Sequence, residues 1–518
     1  MNGSKEEKPG KPFKAKVIRP LGYLERFEAA MHSLDLYRSS MLTCRFTLSG
    51  AAPSSDDLFA NLAAQSIELA IARVVLEHPF LRVGLRNENA RKPAFVELEN
   101  INFRNHIEWK FFNPSVNYEL EFVRLIKSRL DVKVESPESK PAWRILVLHI
   151  ERTNFVDVMF EWGHAEIDGI SVKLFHEDLL RNLNSNDKVE LDWFKDRVLT
   201  IPPEKRRDLL PPLHALCKFP VTTSYALSTL WREVKPSPLV SKSVLQATWA
   251  PIRLTPYSTQ YRHFSLDSNT LQNILAACRK RNTTLSGLIQ ALVHVSLATR
   301  LSPDEALGFL GSTVVNLRPL MSSPCVQSHN IDPKRTMANF MTVVSHEFGV
   351  ELVAKIRARV ADSSERENYM MAILEEFVWP AAERVRGDLQ KRLDEGTRND
   401  LMGLLKFVPD YRFLLKDWAR KPRIHSAALT NLGVIDGDPS DTDSAGVQIE
   451  NGKWTIDRAV FSISPEVHGA ALCICPVAVK QKDLYISCDW QDGAIDIALA
   501  EGVVADLESW LQYIGRQT

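Results

Sequence analysis

The 518-residue sequence predicts an α+β fold built as two lobes. Two ordered series of apolar, β-branched runs and amphipathic helical stretches carry that prediction, one over 17–190 and one over 259–518. Between them, over 191–258, the periodicity fails and proline recurs at 202, 203, 211, 212, 220, 236, 238, 251 and 256, as in a crossover linker. The length points the same way, since one ordinary core does not grow to this size. Residues 1–16 form a charged polar tail.

In the first series, Leu24, Phe27, Met31 and Leu34 follow helical spacing and share one face, which suits packing on the lobe or on a lipid surface equally well. Met41–Leu48 reads as a strand. Ser55–Glu77 is a long helix opened by Ser-Asp-Asp and stopped at His78-Pro79. A strand over 80–86 and a helix over 120–133 follow. Ala142–Ile150 and Phe155–Trp162 form a hairpin across Glu-Arg-Thr-Asn, and the turn Gly163–Gly169 feeds a helix, Ile170–Leu183.

The second series opens with strand Tyr261–Leu266 and helix Asn269–Arg281. A cap at Thr283-Thr284 starts helix Leu285–Ala298, and strand Gly308–Leu317 comes next. Residues 342–419 read as mostly helical, broken at Trp379-Pro380. Strands are expected at His425–Val434, Trp454–Ser464, Ala470–Ala478 and Asp483–Trp490, before a closing helix, Ile495–Tyr513.

Composition removes several classes. Hydrophobic residues make up 45% and charged residues 25%, the globular average, so wholesale disorder is excluded. Lys plus Arg is 64 and Asp plus Glu is 64, which leaves no overall field for nucleic acid or an anionic membrane. The seven cysteines are scattered and nowhere spaced Cys-x-x-Cys, so neither a disulfide framework nor a structural zinc site is indicated. No apolar run approaches the ~20 residues of a membrane span, and residues 1–16 hold no apolar leader segment. A cytoplasmic protein is expected, with a peripheral seat on endoplasmic reticulum or lipid droplets left open by the N-terminal helix. No nucleotide-phosphate loop, Gly-x-Ser-x-Gly or His-Glu-x-x-His occurs. His164-Ala-Glu166 matches half of the zinc-deaminase signature, but the companion Pro-Cys-x-x-Cys is missing, so no metal is expected.

What remains is His164-Ala-Glu-Ile-Asp168-Gly169 at the strand-to-helix turn. Of the other twelve histidines only His263 has an Asp four residues on, and there Asp267 is followed by Ser268 where the first motif has Gly169. A neutral imidazole in a dry cleft can take a proton from an alcohol or amine as that group attacks a carbonyl, an action worth about 10²–10⁴-fold. Asp168 has three roles open: N-cap of the helix, orienter of the ring, or partner of a distant cation. The third is preferred, because a residue that begins the helix need not face the way His164 does.

These residues resemble the signature of the chloramphenicol-acetyltransferase-like superfamily. The chain is most similar to its fungal alcohol acetyltransferase family, on features in order along the sequence: Arg19-Pro-Leu-Gly-x-x-Glu25, His78-Pro-x-Leu-Arg82, the His/Asp motif, Val315-Asn-Leu-Arg318-Pro and Thr430-Asn-Leu-Gly433. The resemblance implies two chloramphenicol-acetyltransferase-like lobes, each a mixed sheet with flanking helices, and an active-site tunnel between them. It implies His164 as general base, direct acyl transfer from acetyl-CoA as co-substrate, and no tightly bound cofactor. Asp168 is then held in a structural ion pair, with Arg318 the best candidate; the alternative is a solvated arginine at a strand end. Gly169 and Asn431 fall in the substrate or oxyanion region, Asn431 being equally readable as a turn residue. The expected activity is O-acetylation of a small apolar alcohol or secondary metabolite by a monomer. N-acetylation of an amine for detoxification, or a noncatalytic condensation-like homologue that binds a carrier protein, are the alternatives. Plant relatives carry Asp-Phe-Gly-Trp-Gly where this chain has Cys488-Asp-Trp490-Gln-Asp-Gly493, which suits Trp490 to a core or rim position. His176 is expected on the exposed side of its helix, and neither it nor His468 is assigned a catalytic role.

Overall fold

The computed structural model describes residues 15–50, 56–135, 137–185, 192–234, 243–321, 324–329, 331–361, 366–438 and 452–517. Most of the polar tail therefore lies outside the described residues. The first lobe is organised on a five-stranded sheet in the spatial order Trp454–Ile463, Ser40–Leu48, Phe155–Trp162, Trp143–Ile150 and Ile107–Phe112. All neighbours are antiparallel except the last pair. Both faces are covered, and the period-two alternation of a strand decides which residue meets which layer. Val158, Phe160, Ile145 and Val147 pack with Ile67, Ile71, Val172 and Phe175 of the helices Asp56–Glu77 and Gly169–Leu183. Met159, Leu146 and Leu148 face the other way, onto Phe122, Ile126 and Leu130 of Tyr118–Leu130.

The edge strand Trp454–Ile463 comes from the C-terminal part of the chain. It pairs with Ser40–Leu48 along nearly its whole length, with one register shift between Ile456 and Arg458. The lobes therefore do not divide at one point in the sequence. The linker is not free either, for Val198–Thr200 pairs with Asn100–Asn102 and Leu213, Leu216 and Cys217 enter the first-lobe core.

The second sheet runs Thr259–Leu266, Leu484–Gln491, Leu472–Val479, Ala427–Leu429, Phe309–Asn316 and Met341–Phe348, with Gly433–Ile435 also on Leu472–Val479. Two readings from periodicity are corrected here. Met341–Phe348 is a strand paired antiparallel with Phe309–Asn316, not part of a helical stretch. Its alternating burial shows why a helical reading failed: its inward residues contribute Thr342, His346 and Phe348, two of them polar. Nor does Trp379-Pro380 break the helical run. A π-turn over Leu374–Val378 precedes the helix Trp379–Glu395 and accommodates the proline, which has no N–H to give.

The N-terminal helix Tyr23–Ser33 is wedged between the lobes. Ala30 and Met31 pack with Tyr411, Leu415 and Val467, so its apolar face is occupied by protein and not open to a lipid surface. No described helix is long and apolar enough to cross a membrane.

Candidate active site

Strand Phe155–Trp162 ends at the turn Gly163–Asp168, and the turn is built around Asp168. Asp168 caps the helix Gly169–Leu183, its Oδ1 accepting from the Ser171 N–H at 2.9 Å and the Ser171 hydroxyl at 2.8 Å. The same carboxylate meets Arg318 from the second lobe. Nη1 donates to Oδ2 at 2.7 Å and Nη2 to Oδ1 at 3.0 Å, a two-pronged pair with only 3% and 5% of the two side chains exposed. Phe340 N–H adds a bond to Oδ2 at 2.9 Å. Arg318 spends its other donors on Thr336 O, Ala338 O, Ser171 Oγ and Asn316 Oδ1. Burial works to raise the Asp168 carboxyl, but the guanidinium and the two N–H donors outweigh it and hold it below the usual carboxylate range. The cap and the ion pair, set apart in the sequence as alternatives, are made by one side chain at once. No hydrogen bond joins Asp168 to the His164 ring.

His164 stands at the start of that turn, half-buried. Its ring lies 5.9 Å from Tyr37 and 6.4 Å from Trp162, centroid to centroid. Desolvation lowers its proton affinity below that of a free histidine, against the opposing pull of Asp168 and a hydrogen bond to its own carbonyl. The same carbonyl accepts from Asn339 Nδ2 at 2.7 Å, and that amide nitrogen is 3.4 Å from His164 Nδ1. An Nδ1–H donated to that carbonyl leaves the Nε2 lone pair free, whereas an Nδ1 that accepts from Asn339 puts the proton on Nε2. Asn339 also forms part of the wall of a narrow cleft with Tyr23, Leu213, His214, Phe219, Met402 and Leu405, which opens beside the His164 turn.

Gly169 is tight against the second lobe: a Cβ there would come within 2.6 Å of Leu432 Cδ2. That contact brings the Thr430–Gly433 segment to the start of the helix, as far as Leu432. Asn431 itself turns to its own neighbourhood. Its Oδ1 accepts from Gly433 N–H at 2.8 Å, where Gly433 has φ +73°, and its Nδ2 donates to Ser286 Oγ at 3.1 Å. Both functions of the carboxamide hold the turn and the neighbouring helix Leu285–Arg300.

His176 is not on an exposed side. It is fully buried, with Nε2 3.1 Å from Leu42 O, and burial pulls its pKa down to about 3. Asp168 as cap sets the helical phase so that Val172, His176 and Leu179 share the inward face. Trp490 is a core residue, 0% exposed. The early motifs are pins: Arg19 forks onto Glu25 at 2.8 and 2.7 Å, and Arg82 onto Asp208 at 2.8 Å for both prongs. His78 Nε2 is 2.7 Å from Asp178 Oδ2. Glu77, His78 and Asp178 are close enough to hold a metal ion, but Asp178 Oδ1 already takes both Arg181 and Arg335. The six described cysteines are buried and unpaired.

Comparison with known proteins fits this geometry. The family model for alcohol acetyltransferases matches residues 97–310, which include the turn. The probable alcohol acetyltransferase FCK4 of Fusarium pseudograminearum is 28% identical over 510 residues, 97% of this chain and 96% of its own. Over residues 97–310 the chain resembles the alcohol acetyltransferase family. It is an acyltransferase. A second relative, the probable alcohol acetyltransferase crmB of Aspergillus fumigatus, is 22% identical over 489 residues, covering 92% of this chain and 95% of its own. Among solved structures, the trichothecene 15-O-acetyltransferase TRI3 of Fusarium sporotrichioides superposes with a TM-score of 0.68 at 14% identity, over 96% of this chain and 94% of its own. The condensation domain of the monacolin K polyketide synthase MokA follows at 0.56 and 11%, over 96% and 97%. These likenesses establish the two-lobed acyltransferase fold.

Proposed function

We propose that this acyltransferase moves an acetyl group from acetyl-CoA to the hydroxyl of a small secondary metabolite, with His164 as general base. The observation that carries the reading is the state of the His164 ring. The His164 carbonyl is held by Asn339, the turn beneath is locked by the Asp168–Arg318 pair, and we take the ring as the tautomer that donates Nδ1–H to that carbonyl. An imidazole so fixed presents Nε2 as an acceptor, and its lowered proton affinity keeps it unprotonated at neutral pH.

In the step that follows, Nε2 takes the acceptor's O–H proton as the oxygen attacks the thioester carbonyl. The tetrahedral adduct collapses with cleavage of the C–S bond, and the imidazolium returns the proton to the departing thiolate. Asp168 takes no proton in this scheme, since its charge is already matched by Arg318. Transfer is direct, and a monomer holds every residue it needs.

The test is release of free thiol from acetyl-CoA in the presence of an alcohol panel. His164→Ala should lose about 10²–10⁴-fold in turnover while its thermal unfolding stays that of the parent. Equal rates in parent and variant would remove the mechanism. Product formed only with amine acceptors would move the assignment to N-acetylation. No thiol release with any acceptor would favour a noncatalytic, carrier-binding role.

A further inference from the structure

The helix Tyr23–Ser33 borders two clefts, one after the other along its length. Gly22–Glu25, at its N-terminal end, walls the narrow cleft that opens beside the His164 turn. Arg26 and Ala30, further along, wall a second cleft that the chemistry above does not use. Its other walls are Glu88, Ala90, Arg91 and Pro93, from the loop after strand Val83–Arg86, and the segment Pro409–Arg412, which starts the helix Tyr411–Trp418.

Three guanidiniums, Arg26, Arg91 and Arg412, line this second cleft, and none of them has an ion-pair partner among the described residues. Their hydrogen bonds go to neutral oxygens: Arg26 Nη2 to the Tyr411 hydroxyl at 3.4 Å, Arg91 Nε to Pro409 O at 2.9 Å, and Arg412 Nη1 to Asn89 O at 2.6 Å. Arginines that fix the fold are matched instead, as Arg19 is by Glu25, Arg82 by Asp208 and Arg318 by Asp168. The two acids on the wall are already engaged. Glu88 is bonded to His32 Nδ1, and Asp410 Oδ1 takes the Arg412 N–H at 2.9 Å as the cap of its helix. Unmatched like charges round one concavity raise its potential and draw anions. Arg26 is held between the rings of Tyr23 and Tyr411, 5.3 and 5.1 Å from their centroids, and Tyr411 is tied through its hydroxyl to Leu405 O at 2.8 Å. Tyr23 and Leu405 wall the first cleft while Arg26 and Tyr411 wall the second, so the two clefts meet at this stack.

We propose that the second cleft binds the phosphates of coenzyme A through Arg26, Arg91 and Arg412, and that the pantetheine arm runs from there along the helix into the first cleft. The assignment rests on the acetyl-CoA reading above. The planar fork of arginine matches phosphate oxygens better than a point charge does. Leu24, Leu213, Phe219, Met402 and Leu405 give the methyl and methylene groups of the arm an apolar wall. The acyl end then arrives where Asn339 joins that wall to the His164 carbonyl.

The probes are acetyl-CoA and S-acetylpantetheine, which keeps the thioester and the arm but carries no phosphate. The parent should prefer acetyl-CoA in kcat/KM. Arg26→Gln and Arg91→Gln should each reduce that preference about tenfold, through a higher KM for acetyl-CoA, the effect of losing one hydrogen bond to a charged group. Arg91 is exposed, so its variant retains the fold even where Arg26→Gln loosens the helix. Calorimetry of coenzyme A with the full chain, without acceptor, reads the site independently of chemistry and should show the same tenfold loss. An unchanged preference in both variants, or an equal loss on S-acetylpantetheine, overturns the proposal. A raised KM for the acceptor alone overturns it too, because the arginines would then hold an anionic group of that substrate. Thiol release by the parent with coenzyme A binding indifferent to both substitutions would remove this site and leave the transferase. Binding that both substitutions weaken, with no thiol release from any acceptor, would do the reverse.

Discussion

Replacing Asp168 by asparagine removes one charge and changes almost no volume, so the result isolates electrostatics. In the parent, Oδ2 receives Arg318 Nη1 and Phe340 N–H, while Oδ1 receives Arg318 Nη2, Ser171 N–H and the Ser171 hydroxyl. Either orientation of an amide sets its NH2 against at least two donors and leaves the buried guanidinium without a counter-charge. Breaking a buried pair in this way costs about 3–5 kcal/mol. The loss should appear as a lowered urea midpoint at pH 7, followed by tryptophan fluorescence. The sign with pH follows from the depressed folded pKa of Asp168. Its contribution is complete above the unfolded value near 4 and disappears as pH falls through the folded value, so parent and variant converge in acid. The double variant Asp168→Leu, Arg318→Met, which strands no charge, should recover part of the loss. An unchanged midpoint together with a displaced pH optimum of thiol release would refute the reasoning, because Asp168 would then act on the imidazole directly.

Asn339→Leu should lower kcat about ten- to hundredfold with KM little altered, and should shift the acid limb of the pH profile, since the His164 carbonyl loses the donor that helps fix Nδ1–H. Stability should fall between pH 7 and pH 5. Burial pulls His106 to about 4 and His176 and His294 to about 3, so each takes up its proton only on unfolding and removes about 1.4 kcal/mol per pH unit below about 6.5. A flat urea midpoint across that window would contradict it. A fragment ending at residue 258 should not give a soluble, cooperatively unfolding lobe, because it lacks Trp454–Ile463 and exposes the edge of Ser40–Leu48; a monodisperse, folded fragment on size-exclusion chromatography and circular dichroism would show the exchanged strand to be dispensable.

Local signals in the sequence reached most of the elements and one side of the site. Strand alternation and cap residues gave the hairpin Trp143–Ile150/Phe155–Trp162, and Asp168, Asp267 and Thr284 each cap the helix they precede. Arg318 was reachable through a motif. Asn339 was not, since it sits in a polar loop without periodicity and acquires meaning only when Met341–Phe348 pairs beside Phe309–Asn316 and swings the loop onto the turn. The linear lobe division missed the strand exchange for the same reason: Trp454–Ile463 has ordinary alternation, and nothing local says which sheet it joins.

The way the turn is held bears on how substrates arrive. His164 belongs to the first lobe, but its fixtures come from the second: Arg318, Asn339, and the backbone of Ala338 and Phe340. The first-lobe sheet in turn depends on Trp454–Ile463 from the C-terminal part. A swing of one lobe away from the other would pull Arg318 off Asp168 and strain the exchanged strand in the same movement, a cost of several kcal/mol. On the proposed mechanism substrates have to reach Nε2 with the lobes together, and the strand exchange serves that chemistry because it keeps the two halves of the His164 turn from separating.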